Sequence, residues 1–462
     1  MGFNDLRSFL GHLQDSGELV TVSRPVDPRF ELAAYCREGL DRRGPALRFD
    51  NVTGHSIPVV ANLFATRSRF AAAIDTTPAR LHRDWSDRLA SPLPPVLVDS
   101  GPVREVVWRG DDIDLTRLPV PVWNELDGGP YISLGVQISK DPDTKVRNAA
   151  TYRVQVHDRN TLGMLYGPYR HLAMQQAKRP GEPFPVVIAL GMDPASHIAA
   201  GAPLPYGVDE LAVAGALRGE PVPLVACETI DAEAPADAEI VLECEILPGV
   251  LRDEGPYGEF TGFYGSRAPR PVLRVTCVTM RRNPIFLGAY QGRPPQDSTL
   301  MQSIPAEAEI LRSVTLAGVK DIAITESGCG AFTAVVSAAK PTEGYGRMVA
   351  LAVLGTWGGR YIKQLTVVTD EIDPHDHEAV EWAVATRVQP HRDVEILRNL
   401  VGIILDPSLP DLERQAGYSR TSKMIIDATG YRTEHAESTL CMPPLDVMER
   451  VRASWDEVVP GT

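Results

Sequence analysis

Leu6, Phe9, Leu10 and Leu13 recur at three- and four-residue steps, which predicts that the chain opens with an amphipathic helix. Asn4 stands where it would cap that helix, and Gly17 where a left-handed residue would end it. Short β-branched runs follow, Leu19-Val20-Thr21-Val22 and Val59-Val60, mixed with helical stretches. The segment Ser91-Pro92-Leu93-Pro94-Pro95 interrupts this pattern and sets off a first α/β domain over residues 1–104. From Val106 to Tyr290 the period changes to two. Tyr152, Val154 and Val156 alternate with Thr151, Arg153, Gln155 and His157, and Ile240, Leu242, Cys244 and Ile246 alternate with Glu239, Glu243 and Glu245, apart from Val241. That period predicts a mainly antiparallel sheet or barrel. Gly255-Pro256, Pro269-Arg270-Pro271 and Arg293-Pro294-Pro295 are expected in the turns and loops that border its strands.

Ser303 is placed to cap a helix with Pro305 in its first turn, and Ile310, Leu311 and Val314 form a stripe on it. This reads as a connecting helix. Beyond it Ile322-Ala323-Ile324, Leu365-Thr366-Val367-Val368 and Ile403-Ile404-Leu405 read as strands between helical stretches such as His377 to Val388. That order predicts a C-terminal α/β domain. No internal repeat or low-complexity segment appears. Apolar runs such as Met348 to Leu354 stop far short of the roughly 20 residues of a membrane helix.

At 462 residues the chain has length for about three domains of ~150 residues each. With 46 Lys and Arg against 60 Asp and Glu, its formal charge of -14 argues against a nucleic-acid groove. Six cysteines without a CxxC pair disfavour a zinc ribbon or disulfide scaffold. Met1 to Asp5 lacks a basic segment before an apolar one, so a cytoplasmic location is expected.

Common catalytic motifs fail. Gly328-Cys329-Gly330 lacks the third glycine of a dinucleotide fingerprint, and no Walker A loop, HExxH or GxSxG occurs. Asp373-Pro374-His375-Asp376-His377-Glu378 resembles a metal cluster, but it directly precedes an amphipathic helix, whose positive dipole end acids complement. A better constellation is Arg153 on the polar face of a strand with Glu254-Gly255-Pro256-Tyr257-Gly258-Glu259 in a glycine-rich turn. An arginine fork matches a carboxylate, and a partly desolvated glutamate can donate a proton. Spacing alone also allows a surface arginine and a solvated turn. Asn148, His171 and Glu210 offer the oxygen, nitrogen and carboxylate ligands that hold Mn²⁺ or Mg²⁺. Taken separately, they also suit a turn, a structural hydrogen bond and a helix first turn.

The ordered set Asn148-x4-Arg153, Gly167-Pro168-Tyr169-Arg170-His171, Pro203 to Glu210, Cys227-Glu228-Thr229 and Glu254 to Glu259 resembles the UbiD family of decarboxylases. Gly292-Arg293-Pro294-Pro295, Gly328-Cys329-Gly330, Ala383-x-Ala385-Thr386-Arg387-Val388-Gln389-Pro390 and Thr421-Ser422-Lys423-Met424 extend the resemblance essentially end to end. It implies an α+β and α/β multidomain fold: an N-terminal α/β domain (1–104), an FMN-binding split β-barrel (105–296), a connecting helix (297–320) and a C-terminal α/β domain (321–462), the last mediating oligomerisation. It implies prenylated FMN (prFMN) as cofactor, Mn²⁺ or Mg²⁺ on Asn148, His171 and Glu210, and K⁺ near carbonyls around Ala149, Ala200 and Ala202 with Glu210. Thr151, Arg153, Arg170, Pro203 and Lys423 complete the implied cofactor-binding set. Glu254, Arg153 and Glu259 would form the family's catalytic network, with Arg153 on the substrate carboxylate and Glu259 as proton donor.

The implied reaction is reversible, non-oxidative decarboxylation of an α,β-unsaturated, aromatic or heteroaromatic acid. The alternatives are carboxylation in the reverse direction or a non-catalytic flavin-binding subunit. A UbiX-type flavin prenyltransferase would supply the cofactor, and a homodimer or larger homo-oligomer is expected. Gln291, Phe332, residues 293–300 and Thr429 are candidates for the pocket border, each equally readable as core or loop.

Overall fold

The opening helix runs Leu6–Asp15 and buries Leu6, Phe9, Leu10 and Leu13 as one stripe. Its cap is Asp5 rather than Asn4. The Asp5 carboxylate accepts the Ser8 N–H at 2.9 Å and the Ser8 hydroxyl accepts the Asp5 N–H, a reciprocal pair that Asn4 is one residue too early to make. Gly17 follows with φ +75°. In this computed structural model, residues 2–410, 419–430 and 441–458 are described.

Leu19–Val22, Ala46–Phe49 and Val59–Ala61 line up in that order in the first sheet, and Phe286–Leu287 completes it beside Val59–Ala61. Val96–Leu97 belongs to a different sheet, where it pairs in parallel with Pro223–Ala226. A cut at residue 104 therefore separates strands that share sheets, because the closing partner of each is distant in sequence.

The central sheet is antiparallel throughout, in the order Tyr131–Ile132, Val154–Val156, Thr161–Met164, Ala268–Met280, Ile240–Glu254, Phe184–Leu190, Val136–Lys140, Arg147–Thr151. Arg147–Thr151 lies at one edge, yet Val154–Val156 lies next to the opposite edge after only two intervening residues. Three Cα steps span at most about 11 Å, so the sheet must curl until its edges approach. The result is a half-barrel. Arg153 lies in that two-residue break rather than on a regular strand face.

Two of the glutamates that alternate along this strand are buried, Glu239 just before it on Arg7 and Glu243 on the Glu228 and Thr229 N–H groups, whereas Glu245 pairs with the exposed Arg274. Pro269 and Pro271 lie inside the strand Ala268–Met280 rather than in turns. They fall where this ribbon passes the register shift between Ile246 and Leu251 and faces solvent, a setting that tolerates the missing N–H.

The connecting helix runs Asp297–Ser313, so it starts before Ser303 and carries Pro305 in its interior. Proline leaves the Met301 carbonyl without its helical donor, and that carbonyl lies against Gly201, where a Cβ would meet it at 3.1 Å. The C-terminal sheet has the order Val319–Ile324, Thr333–Ala338, Gln364–Thr369, Arg420–Asp427, Val394–Val401. His377–Arg387 is helical and capped by Asp376, in line with the dipole reading of the acidic cluster. Ile403, Ile404 and Leu405 form no strand; they follow Val394–Val401 and turn into a cavity.

Candidate active site

A cavity of about 320 Å³ lies between the half-barrel and the C-terminal domain. Gln137 fixes the chain where it enters. Its Oε1 accepts the Tyr152 N–H at 2.7 Å and its Nε2 donates to the Tyr152 carbonyl at 3.3 Å, which secures the strand break and aims Arg153 inward. Arg153 donates from Nε and Nη2 to the two oxygens of Glu254 at 3.0 and 3.1 Å, and from Nη1 to Glu259. The Glu254 side chain is fully buried, and Arg153 and Glu259 are nearly so.

Glu254 is the last residue of its strand and also accepts the Tyr131 hydroxyl at 3.1 Å. Gln155 Oε1 takes the next N–H, that of Gly255, whose φ of +96° favours glycine. Burial and the Glu254 charge raise the Tyr131 hydroxyl far above its usual range, so Tyr131 serves as a fixed donor. The Tyr257 ring lies 5.1 Å from the Arg153 guanidinium carbon, and a Cβ at Gly265 would press on Glu259 Oε1 at 3.0 Å.

Along the cavity wall, Asn148 lies in the strand Arg147–Thr151, His171 begins the helix His171–Gln176, and Glu210 begins Glu210–Arg218. All three line the cavity, as do Ala149, Thr151, Ala200, Ala202, Pro203 and Arg170. Glu210 Oε2 accepts the Ala149 N–H at 2.8 Å, but burial dominates and pushes its carboxyl up to about 8. Burial together with the Arg170 and Arg360 charges lowers the His171 imidazole, which favours its neutral, metal-binding form. Asn148 Nδ2 and Thr151 Oγ1 are buried without a partner among the described residues. Amide orientation is assigned rather than seen, and turning Asn148 over would present Oδ1 to the same spot. An amide oxygen, a neutral imidazole and a costly buried carboxylate fit a hard divalent cation.

Lys423 is placed differently from its expected role at a cofactor phosphate. Its Nζ donates to the carbonyls of Arg360 and Ile362 at 2.7 Å and the residue does not line the cavity, so it supports the segment that carries Arg360. Of the pocket-border candidates, Gln291 and Ser298 line the cavity. Phe332 packs on Phe260, and Thr429 bonds Asp427. Sequence reading missed Arg360, Trp357, Met301, Gln302 and Ile403 to Leu405, which line the cavity without forming any local motif.

Family models of 3-octaprenyl-4-hydroxybenzoate carboxy-lyase match three consecutive segments: the N-terminal domain at residues 10–89, the Rift-related domain at 96–294 and the C-terminal domain at 299–428. The chain belongs to the UbiD family. UbiD members are carboxy-lyases, and the three-domain architecture is theirs. The UbiD-class enzyme HmfF from Pelotomaculum thermopropionicum, solved with FMN, is 38% identical over 96% of this chain and 98% of its own, with a TM-score of 0.88. An evolved dimeric form of HmfF has been solved with prFMN. Vanillic acid decarboxylase of Sedimentibacter hydroxybenzoicus in closed form is 30% identical over 100% of both chains, with a TM-score of 0.87. The apo 3,4-dihydroxybenzoic acid decarboxylase of Enterobacter cloacae is 30% identical over 98% of this chain and 100% of its own, with a TM-score of 0.85. Among the described residues of this UbiD chain, no helix is long and apolar enough to cross a membrane.

Proposed function

We propose that the protein is a non-oxidative, prFMN-dependent decarboxylase of an aromatic, heteroaromatic or α,β-unsaturated carboxylic acid. The observation that carries this reading is Arg153 in the cavity wall, held side-on by Glu254 and touched by Glu259. Of its five N–H donors three are engaged, leaving one on each terminal nitrogen for the two oxygens of a substrate carboxylate. The acids named for the vanillic and 3,4-dihydroxybenzoic acid decarboxylases support the aromatic class.

When bound, prFMN supplies the electron sink for the carbon that loses CO₂. Arg153 binds and orients the carboxylate, and Glu254, tethered by Tyr131, keeps Arg153 in register. The substrate's negative charge beside Arg153 favours the protonated form of Glu259. The C–C bond breaks and CO₂ leaves. The electron pair left on carbon takes the Glu259 proton, and Glu259 carboxylate remains beside Arg153 until water reprotonates it. The same groups serve the reverse carboxylation at high CO₂.

Asn148, His171 and Glu210 would hold Mn²⁺ or Mg²⁺ against the cofactor phosphate. K⁺ would take Glu210 and carbonyls around Ala149, Ala200 and Ala202. Arg170 and Arg360 add positive charge on that side, and a UbiX-type flavin prenyltransferase supplies the cofactor. A homodimer or larger homo-oligomer through the C-terminal domain is supported by the exposed Met348, Leu351, Ile396 and Val401, the last two on its edge strand.

The test is co-production with a flavin prenyltransferase and Mn²⁺, a native mass spectrum, and a screen of acids for CO₂ release. Bound prFMN mass and CO₂ from at least one acid are expected. A flavin-loaded protein inert on a broad panel would favour a non-catalytic flavin-binding subunit.

A further inference from the structure

Glu259 stands in a hairpin whose two strands, Tyr257–Gly258 and Tyr264–Gly265, have two residues each and form a sheet of their own. A ladder that short does not hold its own shape in water. Within the tip, the Glu259 N–H donates to the Phe263 carbonyl and the Gly262 N–H to the Glu259 carbonyl, both at 2.9 Å. Phe263 and Tyr264 on the returning side are exposed, so packing does little to pin it. Gln296 Nε2 supplies one outside hold, donating to the Phe260 carbonyl at 2.9 Å.

The other holds come from three successive residues of the segment that precedes the strand Tyr131–Ile132. The Leu126 N–H donates to the Tyr264 hydroxyl at 3.1 Å, Asp127 Oδ1 accepts the Gly258 N–H at 2.8 Å, and the Gly128 N–H donates to the Pro256 carbonyl at 2.8 Å. Both strands of the hairpin and its approach are gripped at once. Asp127 Oδ2 accepts the Asn124 N–H at 2.9 Å, and Asn124 Nδ2 is anchored in turn on the Gln291 carbonyl at 3.1 Å. The fit is close: the Asn124 amide leaves no room for a Cβ at Gly258, nor does the Gly255 carbonyl for one at Gly128.

Asp127 is the side chain in this grip, and it acts on the residue directly before Glu259. It does not line the cavity, so it meets no substrate. Burial raises its carboxyl, against the N–H groups of Gly258 and Asn124, which favour the charged form. Arg153 and Glu254 are steadied by different groups, Gln137, Gln155 and Tyr131. The carboxylate grip and the proton donor therefore have separate supports.

The geometry points to Asp127 as a positioning residue for proton delivery, which fixes the Glu259 hairpin so that the carboxyl meets the carbon that loses CO₂. The inference rests on the decarboxylase reading and on Glu259 as its proton donor. Asp127→Asn keeps the size of the side chain but offers a single acceptor oxygen where two N–H groups converge, so one of the two bonds is lost.

The experiment measures kcat per bound prFMN, KM and the solvent deuterium isotope effect on kcat, with acid binding by FMN-loaded protein and amide hydrogen exchange followed alongside. Asp127→Asn is expected to lower kcat about 10- to 100-fold while acid binding and flavin content stay within about 3-fold. Its solvent isotope effect rises, because proton delivery becomes slower, and exchange quickens in residues 256–265. Tyr264→Phe, which frees the Leu126 N–H, acts the same way to a smaller extent and decides the matter by the same signs if Asp127→Asn does not fold. Leu126→Ser changes nothing, since that side chain is exposed and the N–H remains. Unchanged kcat in both hairpin variants, or a loss shared equally by acid binding and flavin content with an unchanged isotope effect, would overturn the proposal. No CO₂ from any acid with the unaltered protein would instead sink the decarboxylase reading. Faster exchange confined to residues 256–265 in Asp127→Asn would then leave Asp127 as the anchor of this hairpin, and unaltered exchange there would remove it.

Discussion

His82 Nε2 lies 2.6 Å from Glu307 Oε2, joining the helix Leu81–Leu89 to the connecting helix Asp297–Ser313. Glu307 is fully buried; Arg67 reaches the same oxygen at 3.3 Å, and Glu307 Oε1 accepts the Ile324 N–H at 2.7 Å. His82 Nδ1 lies 3.4 Å from Asp321, whose other oxygen is 3.5 Å from His375 Nε2. One carboxylate thus ties the N-terminal region and the C-terminal sheet to the helix that presents Ser298, Met301 and Gln302 to the cavity.

Burial opposes a charged ring at His82, but its hydrogen bonds to Asp321 and Glu307 hold it up at about 9, against an ordinary 6.5. A raised histidine contributes stability fully below about 6.5 and loses it as pH climbs through 9. His82→Gln should therefore lower Tm clearly at pH 6, by on the order of 2–3 kcal/mol in stability, with the gap closing by pH 9–10. Thermal unfolding across that range checks this; parallel Tm curves for the two proteins would refute it.

Glu210 is raised to about 8 against an ordinary 4.5, so the metal-free fold loses stability as pH rises from about 4.5 through 8. Glu210→Gln should then raise the Tm of metal-free protein at pH 8, while abolishing the Tm gain that Mn²⁺ gives the unaltered protein. A Mn²⁺ gain of the same size in the variant would remove Glu210 from the metal site.

Arg153→Lys keeps the charge but loses the fork that grips Glu254 side-on. A drop in kcat/KM of about 100-fold or more is expected, with flavin still bound. Steady-state CO₂ release together with flavin stoichiometry measures both, and a change under about 3-fold would mean that the bidentate geometry is not used.

Much of the fold is legible where the signal is local. The stripe of Leu6, Phe9, Leu10 and Leu13 and the alternation after residue 106 correspond directly to a helix and an antiparallel sheet. What escapes is whatever depends on closure. Arg153 reads as one more polar position on a strand, yet it sits in a two-residue break because the half-barrel's edges meet there. Pro305 reads as a helix start because proline favours first turns, whereas here an interior carbonyl is spent on the approach to Gly201. Of the motif residues between Asn148 and Glu259, Asn148, Arg153, His171, Glu210 and Glu259 line one cavity, with Glu254 buried behind Arg153 and bonded to it. Arg360 and Ile403 to Leu405 arrive from another domain through tertiary packing alone, with no spacing to announce them.

In the proposed reaction Glu259 delivers the proton to the carbon that loses CO₂. That role is tested most directly by CO₂ release per bound prFMN for the unaltered protein and for Glu259→Gln, on an acid that the unaltered protein turns over. A fall of about 1,000-fold or more is expected in the variant, with prFMN and metal bound as before. Undiminished turnover by the flavin-loaded Glu259→Gln protein would contradict it.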